Sequence, residues 1–196
     1  MNRYVGGSML GAAALAAFLS LGFSSPQQTA SPAPAAPQTA KDGKSIAPYV
    51  TWWGPDSAVK EPTFLKITSD DAWTSLWEKH TGGPLKRDNI QRPVGLPAIN
   101  FDQCMVVAIF NGKRHNTNGI VIKSIVDAGE KIVLHYDEST YQVAYSLNAG
   151  EKMPSPPDLH PFGIFVLPKS DKPIEVEENV QGLKNEPAKW KPRAKL

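Results

Sequence analysis

Residues 104–110 read Cys-Met-Val-Val-Ala-Ile-Phe, apolar on both parities without a break. Side chains alternate sides along a strand, so a strand that is apolar at every position must be covered on both faces. Any fold for this chain has to supply that double cover. Leu96, Pro97, Ile99 and Phe101 lead into the run, Asn111-Gly112 follows it, and Lys113–Asn118 is polar. Gly119–Val126 then resumes as a second apolar strand. The pattern predicts two long strands over residues 96–126 joined by a hairpin loop, with the rest of the fold organised on that ribbon.

The other elements are cued more locally. Trp73, Leu76, Trp77 and His80 fall at i, i+3, i+4 and i+7, one apolar stripe of a helix over Ser69–Thr81. Thr68 and Ser69 are candidate N-caps, with Thr68-x-x-Asp71 resembling a capping box. Asp70 and Asp71 suit the positive end of the helix dipole, and Lys79 and His80 the negative end. Gly82-Gly83-Pro84 closes it. Strands are predicted at Tyr49–Trp53, Phe64–Ile67, Lys131–Tyr136, Thr140–Leu147, Phe162–Leu167 and Pro173–Val176, the last at an edge. Trp52 and Trp53 must point to opposite faces, one of them to the core. Residues 84–97 carry three prolines and read as a wrapping loop pinned by Ile90, Val94 and Leu96. The expected class is α+β: an antiparallel β-sheet of about six strands with one packed α-helix.

The chain has 196 residues, enough for one domain with tails. Residues 1–25 read as a signal peptide or membrane anchor: Arg3 precedes twenty uncharged residues, Tyr4–Phe23, and Gly22 and Ser24 are small residues suited to a cleavage point. The run is also long enough to span a bilayer, so an uncleaved anchor competes with cleavage. Residues 26–46 are a Pro/Ala-rich linker expected to be disordered. The domain is expected over 47–181. Residues 182–196 hold five basic residues against the single acid Glu186 and are expected to be a disordered basic tail. The protein is thus expected to be exported: periplasmic, extracellular or anchored in a membrane only through an uncleaved N-terminal segment.

A net charge of +2 does not supply the concentrated basic face that nucleic-acid binding requires, so no nucleic-acid partner is expected. The only cysteine, Cys104, excludes internal disulfides and multi-cysteine metal sites. Its parity matches Val106, Ala108 and Phe110, which assigns it to a core, where thiols are inert. The four histidines, His80, His115, His135 and His160, show no metal-ligand spacing, and neither a metal nor a cofactor is expected. Glu177-Glu178 reads as a solvated strand face. No phosphate loop, nucleophile elbow or zinc-protease helix occurs.

Several segments in order resemble one family. They are Thr68-x4-Trp73-x2-Leu76-Trp77, then Leu96-Pro97-x-Ile99-x-Phe101, Met105-Val106-Val107, Gly112-x-Arg114-x2-Thr117-x-Gly119-x2-Ile122 and Pro161-Phe162. Residues 62–178 resemble the C-terminal domain of the protease complex subunit PrcB family, with Ile120 where that family usually has an aromatic. The resemblance implies an accessory subunit that supports a secreted protease without cleaving, and it brings no catalytic residues.

The exposed, chemically capable residues cluster in the 112–119 loop. Lys113, Arg114, His115 and Thr117 are the candidate binding residues, with Arg114 able to grip a carboxylate or phosphate by two donors. The competing account ties Arg114 and Thr117 to neighbouring backbone. The functional expectation is a non-enzymatic exported accessory or binding module whose partner is an exported protein such as a protease. The alternatives are a small metal- or thiol-dependent hydrolase using His115, His135 and Cys104, and a structural envelope protein.

Overall fold

The computed structural model describes residues 43–88, 93–144, 152, 155–181 and 186–196. The expected segment 1–25 and most of the expected linker lie outside the described residues, as does part of the expected strand Thr140–Leu147. In chain order the elements are β1 (Lys44–Ser45), β2 (Val50–Gly54), β3 (Thr63–Ile67), α1 (Asp70–Thr81), β4 (Cys104–Phe110), β5 (Thr117–Asp127), β6 (Ile132–Thr140), β7 (Phe162–Pro168), β8 (Ile174–Asn179) and β9 (Trp190–Lys195).

The class is α+β, but the expected single sheet of about six strands is replaced by two sheets. One has five strands in the order β1-β5-β6-β8-β9, and the other four in the order β2-β7-β4-β3. The reason lies in β4. Its odd residues Met105, Val107 and Ile109 pack with Ile120, Ile125, Leu134, Tyr136 and Val176 between the sheets. Its even residues Val106, Ala108 and Phe110 pack with Ile67, Trp73 and Leu76 beneath the helix. The strand apolar on both faces is the middle of three layers: sheet, sheet, helix.

This layering corrects the expected hairpin. β4 pairs with β3 and β7, and β5 pairs with β1 and β6, so the two long strands belong to different sheets. Residues 111–116 carry the chain from one layer to the other. The sheets meet again where β5 passes β2: a Cβ on Gly119 would stand 2.6 Å from the carbonyl oxygen of Gly54. β7 lies in the four-stranded sheet, so β8 returns beside β6 in a parallel pairing within otherwise antiparallel sheets.

The helix starts at Ser69 rather than Thr68. The Ser69 hydroxyl accepts from the Ala72 amide at 3.4 Å, and Gly82 and Gly83 donate back to the Glu78 carbonyl, each at 3.0 Å. Trp73 and Leu76 are buried, and Trp77 and His80 are half-buried. The Trp73 ring packs tilted against Trp77 at 4.9 Å and Trp52 at 6.0 Å, while its indole N–H donates to Pro97 O at 2.8 Å. Trp52 is the inward member of the tryptophan pair, and Trp53 is exposed.

Several boundary expectations need correction. The expected disordered tail contains β9, which pairs antiparallel with β8 and covers its outer side. β8 is therefore not an edge. The two segments are charge-matched: Arg193 meets Glu178 at 2.7 Å, and Lys195 meets Glu175 at 3.4 Å. Pro192 is tolerated because an edge strand leaves one row of backbone groups unpaired. Lys44–Ser45, within the expected linker, pairs with Val126 and Asp127 of β5. In the wrapping loop Leu96 packs on the helix-side core, the Val94 side chain is exposed while its amide donates to Lys86 O, and Ile90 lies outside the described residues.

Candidate functional site

The four candidate binding residues of the 112–119 loop are all engaged within the molecule. Lys113 pairs with Asp158 at 2.7 Å, which holds the Asp158 carboxyl below its ordinary range. Arg114 Nε donates to Glu138 Oε2 at 3.2 Å, and its backbone bridges Leu159 in both directions. His115 Nδ1 lies 3.1 Å from Pro157 O. Thr117 is buried, and its hydroxyl accepts from the Gly119 amide at 3.1 Å. The loop is braced against residues 157–159, the stretch that precedes β7.

Arg114 is also the outer end of a polar network buried between the sheets. The Asn111 amide donates to both Glu138 Oε2 and Glu178 Oε1, at 3.2 and 3.3 Å. The Tyr136 hydroxyl donates to Asn111 Oδ1 at 3.0 Å, and Arg193 donates to Glu178 Oε2 at 2.7 Å. Two carboxylates are neutralised by two guanidiniums, with one amide between them. Burial drives the Tyr136 phenol well above its ordinary range, so it stays a donor. Glu178 belongs to this interior and not to the solvated face expected for Glu177-Glu178, because β8 turns its even residues inward.

Of the residues named for the alternative hydrolase, Cys104 and His135 are not brought together. Cys104 sits on the helix side of the four-stranded sheet, while His135 projects from the outer face of the five-stranded sheet. Among the described residues no three His, Cys, Asp or Glu side chains gather as a metal cage.

His135 has other neighbours. Ser124, His135 and Glu177 occupy one cross-strand row over β5, β6 and β8. Ser124 Oγ lies 2.9 Å from His135 Nδ1, and His135 Nε2 lies 3.0 Å from Glu177 Oε2. The Trp190 indole stacks on the imidazole at 4.1 Å, with 13° between the planes. Beside Glu177 is a groove of about 360 Å³ lined by Glu175, Glu177, Pro192, Arg193, Ala194 and Lys195. Lys131 and Lys195 bond to Glu175 and hold its carboxyl low. The sequence marks His135 only as an isolated histidine. The row depends on a bulge between Ile122 and Ser124 and on the parallel β6–β8 register, which local spacing does not encode.

A third surface lies on β2, an edge of the four-stranded sheet. Tyr49 is 63 % exposed, Val50 42 % and Trp53 48 %. Thr51 and Trp53 share a parity opposite to Trp52, so the exposed Trp53 ring projects from the other side of this edge strand, and exposed Tyr49 stands in the bend just before it.

Comparison with known proteins finds no matching family model, no matching curated protein and no matching solved structure.

Proposed function

We propose that this chain is an exported accessory module that binds another exported protein through β2. The observation that carries the reading is the exposure of Val50 and Trp53 on the edge strand β2, with exposed Tyr49 immediately before it. An edge offers a row of unpaired backbone groups for strand addition, and large aromatics beside it supply the anchors that dominate interface energies. Tryptophan half in water on a strand edge is otherwise a liability that proteins tend to cover. The export expectation rests on residues 1–25, and the resemblance of residues 62–178 to the PrcB family favours a secreted protease as the partner.

A photo-crosslinking amino acid placed at Trp53 in the full chain, expressed in intact cells, tests this. A discrete adduct from position 53 is expected, absent from the exposed helix position Lys79 and lost when Tyr49→Asp is added. Identical adducts from both positions, or none, would leave the structural envelope reading in its place.

A further inference from the structure

We propose that Ser124 is an acylatable serine, activated by His135 and Glu177, that accepts an acyl group from small activated esters. This goes beyond the binding reading and does not depend on it.

The protonation pattern follows from the partners. An ionised Glu177 carboxylate only accepts, so the proton on neutral His135 sits on Nε2 and is donated to Glu177. The Nδ1 lone pair then faces Ser124 Oγ at 2.9 Å, and the hydroxyl is the donor. A nucleophile is thereby bonded to a base, and the base to an orienting carboxylate, which is the arrangement that raises hydroxyl reactivity. Trp190 stacked on the ring fixes its plane. Ser124 is half-buried and on the outer face of the sheet, where a small ester can reach it from solvent.

In the step, Ser124 Oγ attacks the ester carbonyl while its proton passes to His135 Nδ1. Glu177 stabilises the imidazolium through Nε2–H. Collapse of the tetrahedral adduct breaks the bond to the leaving alkoxide or phenoxide, which takes the proton from Nδ1. The products are acyl-Ser124 and the free alcohol, with the imidazole neutral again. Ser124 sits in a β-strand and not at a helix N-terminus, the place where backbone N–H donors for an oxyanion are commonly gathered. The reaction is therefore stoichiometric acylation by donors with good leaving groups, without rapid turnover.

The molecule carries its own control. Ser57 Oγ lies the same 2.9 Å from His80 Nδ1, but Ser57 is buried and Oγ is its only hydrogen-bonded contact with that ring. The full chain treated with a fluorophosphonate, and separately with p-nitrophenyl acetate, is mapped by peptide mass spectrometry. Expected is one adduct from each reagent, on Ser124 and not on Ser57. Ser124→Ala should abolish it, and His135→Asn should slow it by about 100-fold, the scale of a lost general base. Glu177→Gln should change the pH dependence of labelling, whereas Glu175→Gln should not. Circular dichroism of each variant separates loss of reactivity from loss of fold, and the wild-type mapping stands without any variant. No adduct on Ser124 under conditions that label a known serine hydrolase overturns the proposal. So does labelling of His135→Asn at the wild-type rate, or equal labelling of Ser57.

Discussion

Replacing Gly119 by alanine probes the corner where the two sheets touch backbone to backbone. Gly119 has φ 128°, a region closed to side-chain-bearing residues without strain. The added Cβ would meet Gly54 O, N and C at 2.6, 2.7 and 2.8 Å, and Gly54 is held in register opposite Phe162. Carbon contacts are comfortable from about 3.5 Å, so backbone must give by nearly an ångström. The strained φ costs on the order of 1–3 kcal/mol, and overpacking against an element that cannot relax adds roughly 1–3 kcal/mol. A total of about 3–5 kcal/mol is expected, a large share of a typical domain's stability. Gly129→Ala is the matched control. Gly129 has φ 86° and nothing within 4 Å of its hypothetical Cβ, so alanine there carries strain alone, about 1–2 kcal/mol. Urea unfolding, followed by fluorescence of the Trp52, Trp73 and Trp77 cluster, measures both. Gly119→Ala should lose at least about 1 kcal/mol more than Gly129→Ala at an unchanged m-value. Equal losses would refute the close approach of β2 and β5.

Three further perturbations test the interior. Arg193→Met removes the guanidinium that lies over the Phe64 ring and leaves the buried Glu178 carboxylate, among the described residues, with the Asn111 amide, and should cost roughly 2–4 kcal/mol in thermal unfolding. A loss below about 0.5 kcal/mol would mean the pair behaves as an exposed one. Tyr136→Phe removes the donor to the buried Asn111 Oδ1 and should cost about 1–2 kcal/mol by equilibrium unfolding, and no loss would show another donor satisfying that oxygen. Burial lowers the His80 pKa from 6.5, so the unfolded chain takes up the proton first as pH falls. The stability this contributes is complete above pH 6.5 and drains as pH drops towards the folded value, so the melting temperature should fall across that window and do so less in His80→Gln. Asp127, Asp158 and Glu175, whose folded values are depressed chiefly by lysine hydrogen bonds, lose their contributions only at more acid pH. A pH profile unchanged by His80→Gln would contradict the burial argument.

What the sequence makes legible is what hydropathy and local spacing can carry. The two-sided apolar run 104–110 announces a doubly covered strand, and β4 is one. The tryptophan stripe with Ser69 and Gly82 at its ends announces a helix, and α1 has those caps. Asn111-Gly112 signals a reversal, but a turn signal does not say whether the returning strand joins the same sheet or the facing one. β9 escapes hydropathy because its affinity for β8 is written in charge, with Arg193 and Lys195 set against Glu178 and Glu175. A basic stretch with two prolines reads as a tail until the acidic strand it pairs with is known. Of the candidate surfaces, alternation says that Trp52 and Trp53 face opposite ways, but not that Trp53 is the exposed one or that nothing covers it. The Ser124–His135–Glu177 row is not legible in the sequence, since its members are 11 and 42 residues apart and aligned by a bulge and a parallel register.

The charge-matched β8–β9 pair also orders events in time. A growing chain that has reached Asn179 holds two carboxylates on β8, Glu175 and Glu178, whose β9 partners Lys195 and Arg193 are not yet made. The five-stranded sheet then ends on an acidic, unpaired edge, and Trp190 is not there to cover His135. Hydrogen bonds between Leu196 and Ile174 in both directions close that edge only when residues 190–196 emerge. A sheet whose outermost strand is supplied by residues 190–196 cannot be completed before those residues are made, so folding of this layer waits on them.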